Sequence, residues 1–121
     1  MIAKTVLVVD DEQEVLTVIK KRLDTAGYKV LIASSGIKAL EMAAKLEPSL
    51  ILLDIMMPGM DGLEVLRKLK DRNNTAAIPV VMLTAKGESK TIFETQDLGS
   101  ADYIIKPYDN KELLDIIEKY I

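Results

Sequence analysis

Leu50-Ile51-Leu52-Leu53-Asp54, followed by Ile55-Met56-Met57-Pro58-Gly59-Met60-Asp61-Gly62, is the stretch whose reading decides the fold of this 121-residue chain. Four apolar residues in a row show no alternation, and a turn-rich loop follows at once. Such a run reads as a strand buried on both faces, the kind that belongs to a parallel sheet. The pattern recurs. Val6-Leu7-Val8-Val9 runs into Asp10-Asp11, Val80-Val81-Met82-Leu83 into Thr84, and Tyr103-Ile104-Ile105 into Lys106-Pro107. In an open parallel sheet, ligands sit beyond the carboxyl ends of the strands. Carboxylates, a hydroxyl and an ammonium are therefore expected at one place, a set suited to a divalent cation and a phosphoryl group.

Between these runs the period changes to that of helices. Val15, Leu16, Ile19 and Leu23 predict a helix over 12–26, with Asp11 and Glu14 as a capping box and Gly27 as the stop. A short strand is expected from Tyr28 to Ala33. Ser34 or Ser35 then caps a helix to about Leu46, with Ile37, Leu40 and Ala44 on one face. Asp61 with Glu64 starts a third helix carrying Leu63, Leu66 and Leu69. Asp71 to Ala77 is the longest polar connection, and Pro79 opens the next strand. A fourth helix is expected from about Glu88 to Leu98, ending at Gly99. Asp109 with Glu112 starts the last, which runs to Tyr120. Five strands alternate with five helices, which specifies an α/β fold in three layers around a parallel sheet. No repeat or linker divides the chain, so residues 1–121 read as one domain.

Composition narrows the chemistry. Hydrophobic residues make up 49% and aromatic ones only 4%, so the core is aliphatic. A net charge of −3 argues against a nucleic-acid-binding surface. There is no Cys and no His, hence no disulfide, no zinc-thiolate site and no imidazole base. No signal peptide is evident, and no apolar run approaches the ~20 residues of a membrane span. The expectation is a cytoplasmic protein with no membrane partner.

Taken singly, each strand-end residue has an ordinary explanation. Asp11 can cap a helix, Asp54 can form a turn, Thr84 can be structural, Lys106 can be a solvated charge, and Met56-Met57 can be packing. Together they do not. Grouped carboxylates repel one another, and a fold needing only stability would separate them. A hard divalent cation with oxygen ligands resolves the conflict, Mg²⁺ first and Mn²⁺ as the alternative. Lys106 offers a compact charge for a phosphoryl oxygen, and Thr84 a hydroxyl. Without His or Cys, a carboxylate is the natural nucleophile.

The motifs Val8-Val9-Asp10-Asp11-Glu12, Leu53-Asp54 through Asp61-Gly62, Met82-Leu83-Thr84-Ala85 and Asp102-Tyr103-Ile104-Ile105-Lys106-Pro107 resemble those of bacterial response-regulator receiver domains, the CheY-like family, from end to end. The resemblance implies strand order 2-1-3-4-5. It implies Asp54 as phosphoacceptor, Mg²⁺ held by Asp10, Asp11, Asp54 and the Met56 carbonyl, and Lys106 paired with the acceptor. It implies Thr84 and Tyr103 as the switch pair and a cis Lys106-Pro107 peptide. It further implies a donor phosphohistidine on a sensor histidine kinase or a histidine phosphotransfer protein, and an unnamed downstream effector read through the fourth helix, fifth strand and fifth helix. The domain would be a switch rather than a metabolic enzyme, catalysing only its own phosphorylation and dephosphorylation. It would be a monomer or a weak phosphorylation-dependent dimer.

Three rivals come from other classes. An aspartyl-nucleophile phosphatase of the haloacid-dehalogenase type needs a second Asp where Met56 stands. A flavodoxin-type carrier needs a phosphate-cradling loop where Asp10-Asp11-Glu12 would repel one. A pseudo-receiver, a binding module without phosphorylation, does not need the full acidic set, Thr84 and Lys106. Among true receivers, winged-helix DNA-binding regulators carry an Asp where this chain has Ala101 and an Arg where it has Ile116. Those departures weaken that assignment.

Overall fold

The computed structural model describes residues 4–85 and 89–121. In chain order the elements are β1 (Thr5–Val9), α1 (Gln13–Thr25), β2 (Lys29–Ala33), α2 (Gly36–Leu46), β3 (Leu50–Asp54), α3 (Gly62–Asp71), β4 (Val80–Ala85), α4 (Ser89–Asp97), β5 (Asp102–Lys106) and α5 (Asn110–Tyr120). The strands form one parallel sheet in the order β2-β1-β3-β4-β5. The expected residue Glu88 at the start of α4 lies outside the described residues.

Alternation along the strands divides the core into two layers. Val6, Val8, Leu50, Leu52, Val81 and Leu83 face α1 and α5, where Leu16, Ile19, Leu23, Leu113 and Ile117 meet them. Leu7, Val9, Ile51, Leu53, Val80 and Met82 face α2 and α3. Each such side chain contributes roughly 1.5–3 kcal/mol by leaving water. In the central strands the unalternating runs over residues 6–9, 50–53 and 80–83 are buried throughout. β5 is not. It lies at the edge of the sheet, with β4 as its one strand neighbour among the described residues, and Ile105 is 41% exposed.

Helix starts follow the capping signals with one exception. Ser35, Asp61 and Asp109 each accept a hydrogen bond from the backbone three residues on. The expected Asp11–Glu14 box is not formed. The N-cap of α1 is Glu12, without a side-chain cap, and its N–H instead donates to Asp10 Oδ1 at 2.9 Å. The α2 face also differs from expectation. Ala39, Leu40 and Ala43 are buried, whereas Ile37 is 62% exposed. The sheet takes the smaller residues and leaves Ile37 at the rim.

The polar α3–β4 connection is held from beneath. Lys70 Nζ donates to the carbonyls of Ala76 and Ile78, both at 2.9 Å, and Thr75 Oγ1 donates to Leu69 O at 2.6 Å. Burial pulls the Lys70 ammonium below its ordinary pKa.

Gly62 fixes α3 to the site. Its N–H donates to Ile55 O at 2.9 Å, closing the β3–α3 loop. A Cβ there would strike the Asp54 carbonyl oxygen and come within 2.7 Å of Ile55 Cα, both backbone atoms that cannot rotate away. Gly62→Ala is expected to destabilise the domain by about 1–3 kcal/mol, measured by denaturant unfolding. A neutral result would show that α3 can move off β3.

Candidate functional site

The sheet register sets the site. Asp54 pairs with Leu83 across β3–β4, Thr84 with Ile105 and Ala85 with Lys106 across β4–β5, and Val9 pairs with Leu53 across β1–β3. The chain ends of β1, β3, β4 and β5 therefore finish level at one edge. Asp10 and Asp54 are buried and Asp11 is exposed. Each of the three can place a carboxylate oxygen within 4.8 Å of the others.

One ammonium answers two of these charges. Lys106 Nζ lies 3.2 Å from Asp54 Oδ1, a hydrogen bond, and 3.6 Å from Asp10 Oδ2, beyond hydrogen-bond reach. Asp10 Oδ2 is left buried with no hydrogen-bond partner. Such an atom is costly, and its presence at a mouth of hard oxygen donors marks a place for a cation. The residues present thus fit Mg²⁺: carboxylates of graded burial, one orphaned oxygen, and an exposed Asp11 open to water.

The electrostatics agree. Burial pushes the Asp54 carboxyl above its ordinary pKa of 3.8; the Lys106 charge opposes this and Asp10 reinforces it. For Lys106, burial alone would lower the pKa, but Asp54 and Asp10 together hold it above its ordinary value.

Thr84 is buried at the end of β4, and among the described residues its Oγ1 makes one long contact, to Ala85 O at 3.4 Å. Tyr103 is half-buried and packs against the α2–α3 core layer. Met56 points its side chain to solvent, 65% exposed. The Lys106–Pro107 peptide is cis.

Sequence reasoning missed a neighbouring groove. Val15, Val18 and Arg22 of α1 face Pro107 and Tyr108 across it, and Lys106 forms its inner wall. Burial raises the Tyr108 phenol pKa, with Lys106 opposing. The available signal was Val18, an apolar residue out of step with the buried stripe of α1.

A family model described as response regulator receiver domain matches residues 6–118. The chain is 42% identical over 114 residues to the phosphate regulon transcriptional regulatory protein PhoB of Pseudomonas aeruginosa, covering 94% of this chain and 50% of that protein. It is 36% identical over 123 residues to sporulation initiation phosphotransferase F of Bacillus subtilis, covering 100% of this chain and 96% of that protein. It therefore spans half the length of the first relative and nearly all of the second. Among solved structures, Vibrio cholerae chemotaxis protein CheY4 superposes with a TM-score of 0.94 at 28% identity, covering 99% of this chain and 100% of the other. The receiver domain of sensor histidine kinase PA1611 from Pseudomonas aeruginosa PAO1, which carries a magnesium ion coordinated in its active-site cleft, gives a TM-score of 0.90 at 28% identity, covering 98% of both chains. Among the described residues no helix is long and apolar enough to cross a membrane.

A raised carboxyl pKa means that folding disfavours the ionised form. The stability tied to neutral Asp54 is present below 3.8 and is lost as pH rises through the higher folded value. Asp54→Asn, which cannot ionise, should raise the metal-free melting temperature at neutral pH by on the order of a few degrees. The gain should shrink toward zero on acidification. Melting curves across pH, in chelator, check both sign and trend.

Proposed function

This chain belongs to the response-regulator receiver family, and from that premise we propose that it is a two-component switch whose phosphoacceptor is Asp54. The observation that carries the reading is Asp54 itself. It is a buried carboxylate at a strand end, held by Lys106 at 3.2 Å and crowded by Asp10 and Asp11. We take residues 1–121 as one receiver domain in a cytoplasmic protein, and its substrate as the phosphohistidine of a sensor kinase or phosphotransfer protein.

In the transfer, an Asp54 carboxylate oxygen attacks phosphorus. The P–N bond to the donor imidazole breaks, and that nitrogen leaves with the electron pair. Asp10, Asp11, Asp54 and the Met56 carbonyl would hold a divalent cation, which would supply positive charge to the phosphoryl oxygens. Lys106, already hydrogen-bonded to the acceptor, moves its charge onto the phosphoryl group. The donor must lie on the surface bordering the acceptor. The groove between α1 and Pro107-Tyr108 supports that placement, because Lys106 forms its wall.

Thr84 is poorly bonded and free to turn its hydroxyl to the new phosphoryl oxygen. That movement leaves room for the Tyr103 ring. β5 and its neighbours α4 and α5 then change their outer face for an effector. Phe93 at 67% and Ile105 at 41% exposure give that face apolar contacts. The chain is thus a switch, catalytic only toward its own phosphorylation and hydrolysis.

Acetyl phosphate should label Asp54 only when Mg²⁺ is present, as seen by mass spectrometry. Labelling that persists unchanged in Asp54→Asn would reject the acceptor assignment. Beryllofluoride with Mg²⁺ should shift amide NMR signals in Thr91–Leu98 and at Tyr103 as well as at the site. Shifts confined to Asp10, Asp54 and Lys106 would reject the α4–β5–α5 output face.

A further inference from the structure

A second surface lies on the far side of the sheet from the kinase-facing groove. α2 and α3 pack side by side and leave a channel of about 460 Å³ between their outer faces. Its floor is apolar: Ile37, Leu40 and Ala44 from α2, and Met60 from the loop before α3. Ile37 is 62% exposed, a cost the fold does not recover within this chain. The core layer has no need of it, since Ala39, Leu40 and Ala43 already face the sheet.

The walls are cationic. Lys45 stands on α2, Lys68 stands in the last turn of α3, and Arg72 follows immediately after that helix ends. Glu41 is the single carboxylate among the lining residues. Among the described residues none of the three cations is within ion-pair distance of a carboxylate, unlike Lys20 with Asp24 or Lys111 with Asp115. This excess of positive charge sits on a chain whose net charge is −3. The channel is also firmly built. Asn74 Nδ2, in the α3–β4 connection, donates to Ala44 O at 3.3 Å and ties that connection to α2. A Cβ on Gly36 would come within 2.7 Å of Val65 and 3.1 Å of Met60, so the helices are in close contact at its near end.

We propose that the α2–α3 channel docks an acidic amphipathic helix of a partner protein, its apolar ridge on Ile37, Leu40 and Met60 and its carboxylates against Lys45, Lys68 and Arg72. A channel between two helices has the shape that receives the ridge of a third. Its apolar floor speaks against a nucleic-acid backbone, which needs charge and hydrogen bonds without a greasy centre. The surface stands apart from the phosphoacceptor, and the docking does not require Asp54 to be phosphorylated.

The probe is a synthetic helical peptide with leucines at positions i, i+3, i+4 and i+7 and glutamates on both flanks. The control carries lysine in place of each glutamate. Both are titrated into the full chain without phosphodonor, and amide NMR shifts are followed. The expected shifts cluster in Gly36–Lys45 and Met60–Arg72, weaken with added salt, and are absent with the lysine peptide. Lys68→Glu combined with Arg72→Glu should weaken binding about tenfold or more. Ile37→Ser should weaken it with less change in salt dependence. Unaltered melting temperatures show that these surface variants fold. Equal binding of the lysine peptide, shifts falling on Asp102–Lys119, or undiminished binding to the double variant would each overturn the proposal. So would short duplex DNA producing the same shifts more tightly than the peptide, or the chain occupying the channel with a second copy of itself.

Discussion

A single ammonium shared between two buried carboxylates is the constraint around which the rest of this fold is arranged. Lys106 reaches both Asp54 and Asp10. It can do so only if β5 ends level with β3 and β1, two strands that are not its neighbours. That requires the parallel order with β4 between β3 and β5, and a register placing Ala85 opposite Lys106. The balance is deliberately incomplete. Three carboxylates meet one lysine, and one oxygen of Asp10 is left without a hydrogen bond. A site fully neutralised by its own residues would gain little from a bound cation.

Much of this was legible in the sequence because the relevant signals are local. Unalternating apolar runs ending in charge identify central parallel strands, and Asp61-Glu64 and Asp109-Glu112 mark helix starts that form as read. What was not legible depends on competition between neighbours in space. Asp10 took the Glu12 N–H, so the capping box at Asp11 had no role to play. β5 was expected at the edge, but only through the strand order that the family resemblance implied; its own five residues do not announce that position. Ile37 sits at helical spacing with Leu40 and Ala44, but one face of α2 meets the sheet and its flank meets α3. Periodicity alone does not tell a face from a flank. The site residues were recognisable chiefly because four motifs fall in order, whereas the grooves beside them are made by residues remote in sequence.

The two layers of the core are unequal neighbours to the site. The α1–α5 layer closes beneath Asp10 and Lys106 with Leu16, Ile19, Leu113 and Ile117. The other layer is extended by half-buried residues, Met60, Leu98 and Tyr103, at its margins. Stability is drawn from the strands and the inner helix faces, while recognition is left to the margins. The apolar residues left exposed, Ile37, Phe93 and Ile105 among them, are divided between separate faces of the domain.

Gly62 leaves no space beside the Asp54 carbonyl, so α3 is packed directly against the end of β3. Charge added to the acceptor cannot be relieved by α3 backing away, since Val65, Leu66 and Leu69 would open a void behind it. On the proposed function, relief would travel sideways, toward Thr84 and toward Tyr103 at the core margin. In mechanical terms α3 would be the anvil and the β4–β5 edge the part that gives. The direction of such a signal would then follow from where packing is densest, and the missing methyl group of Gly62 helps to set that side.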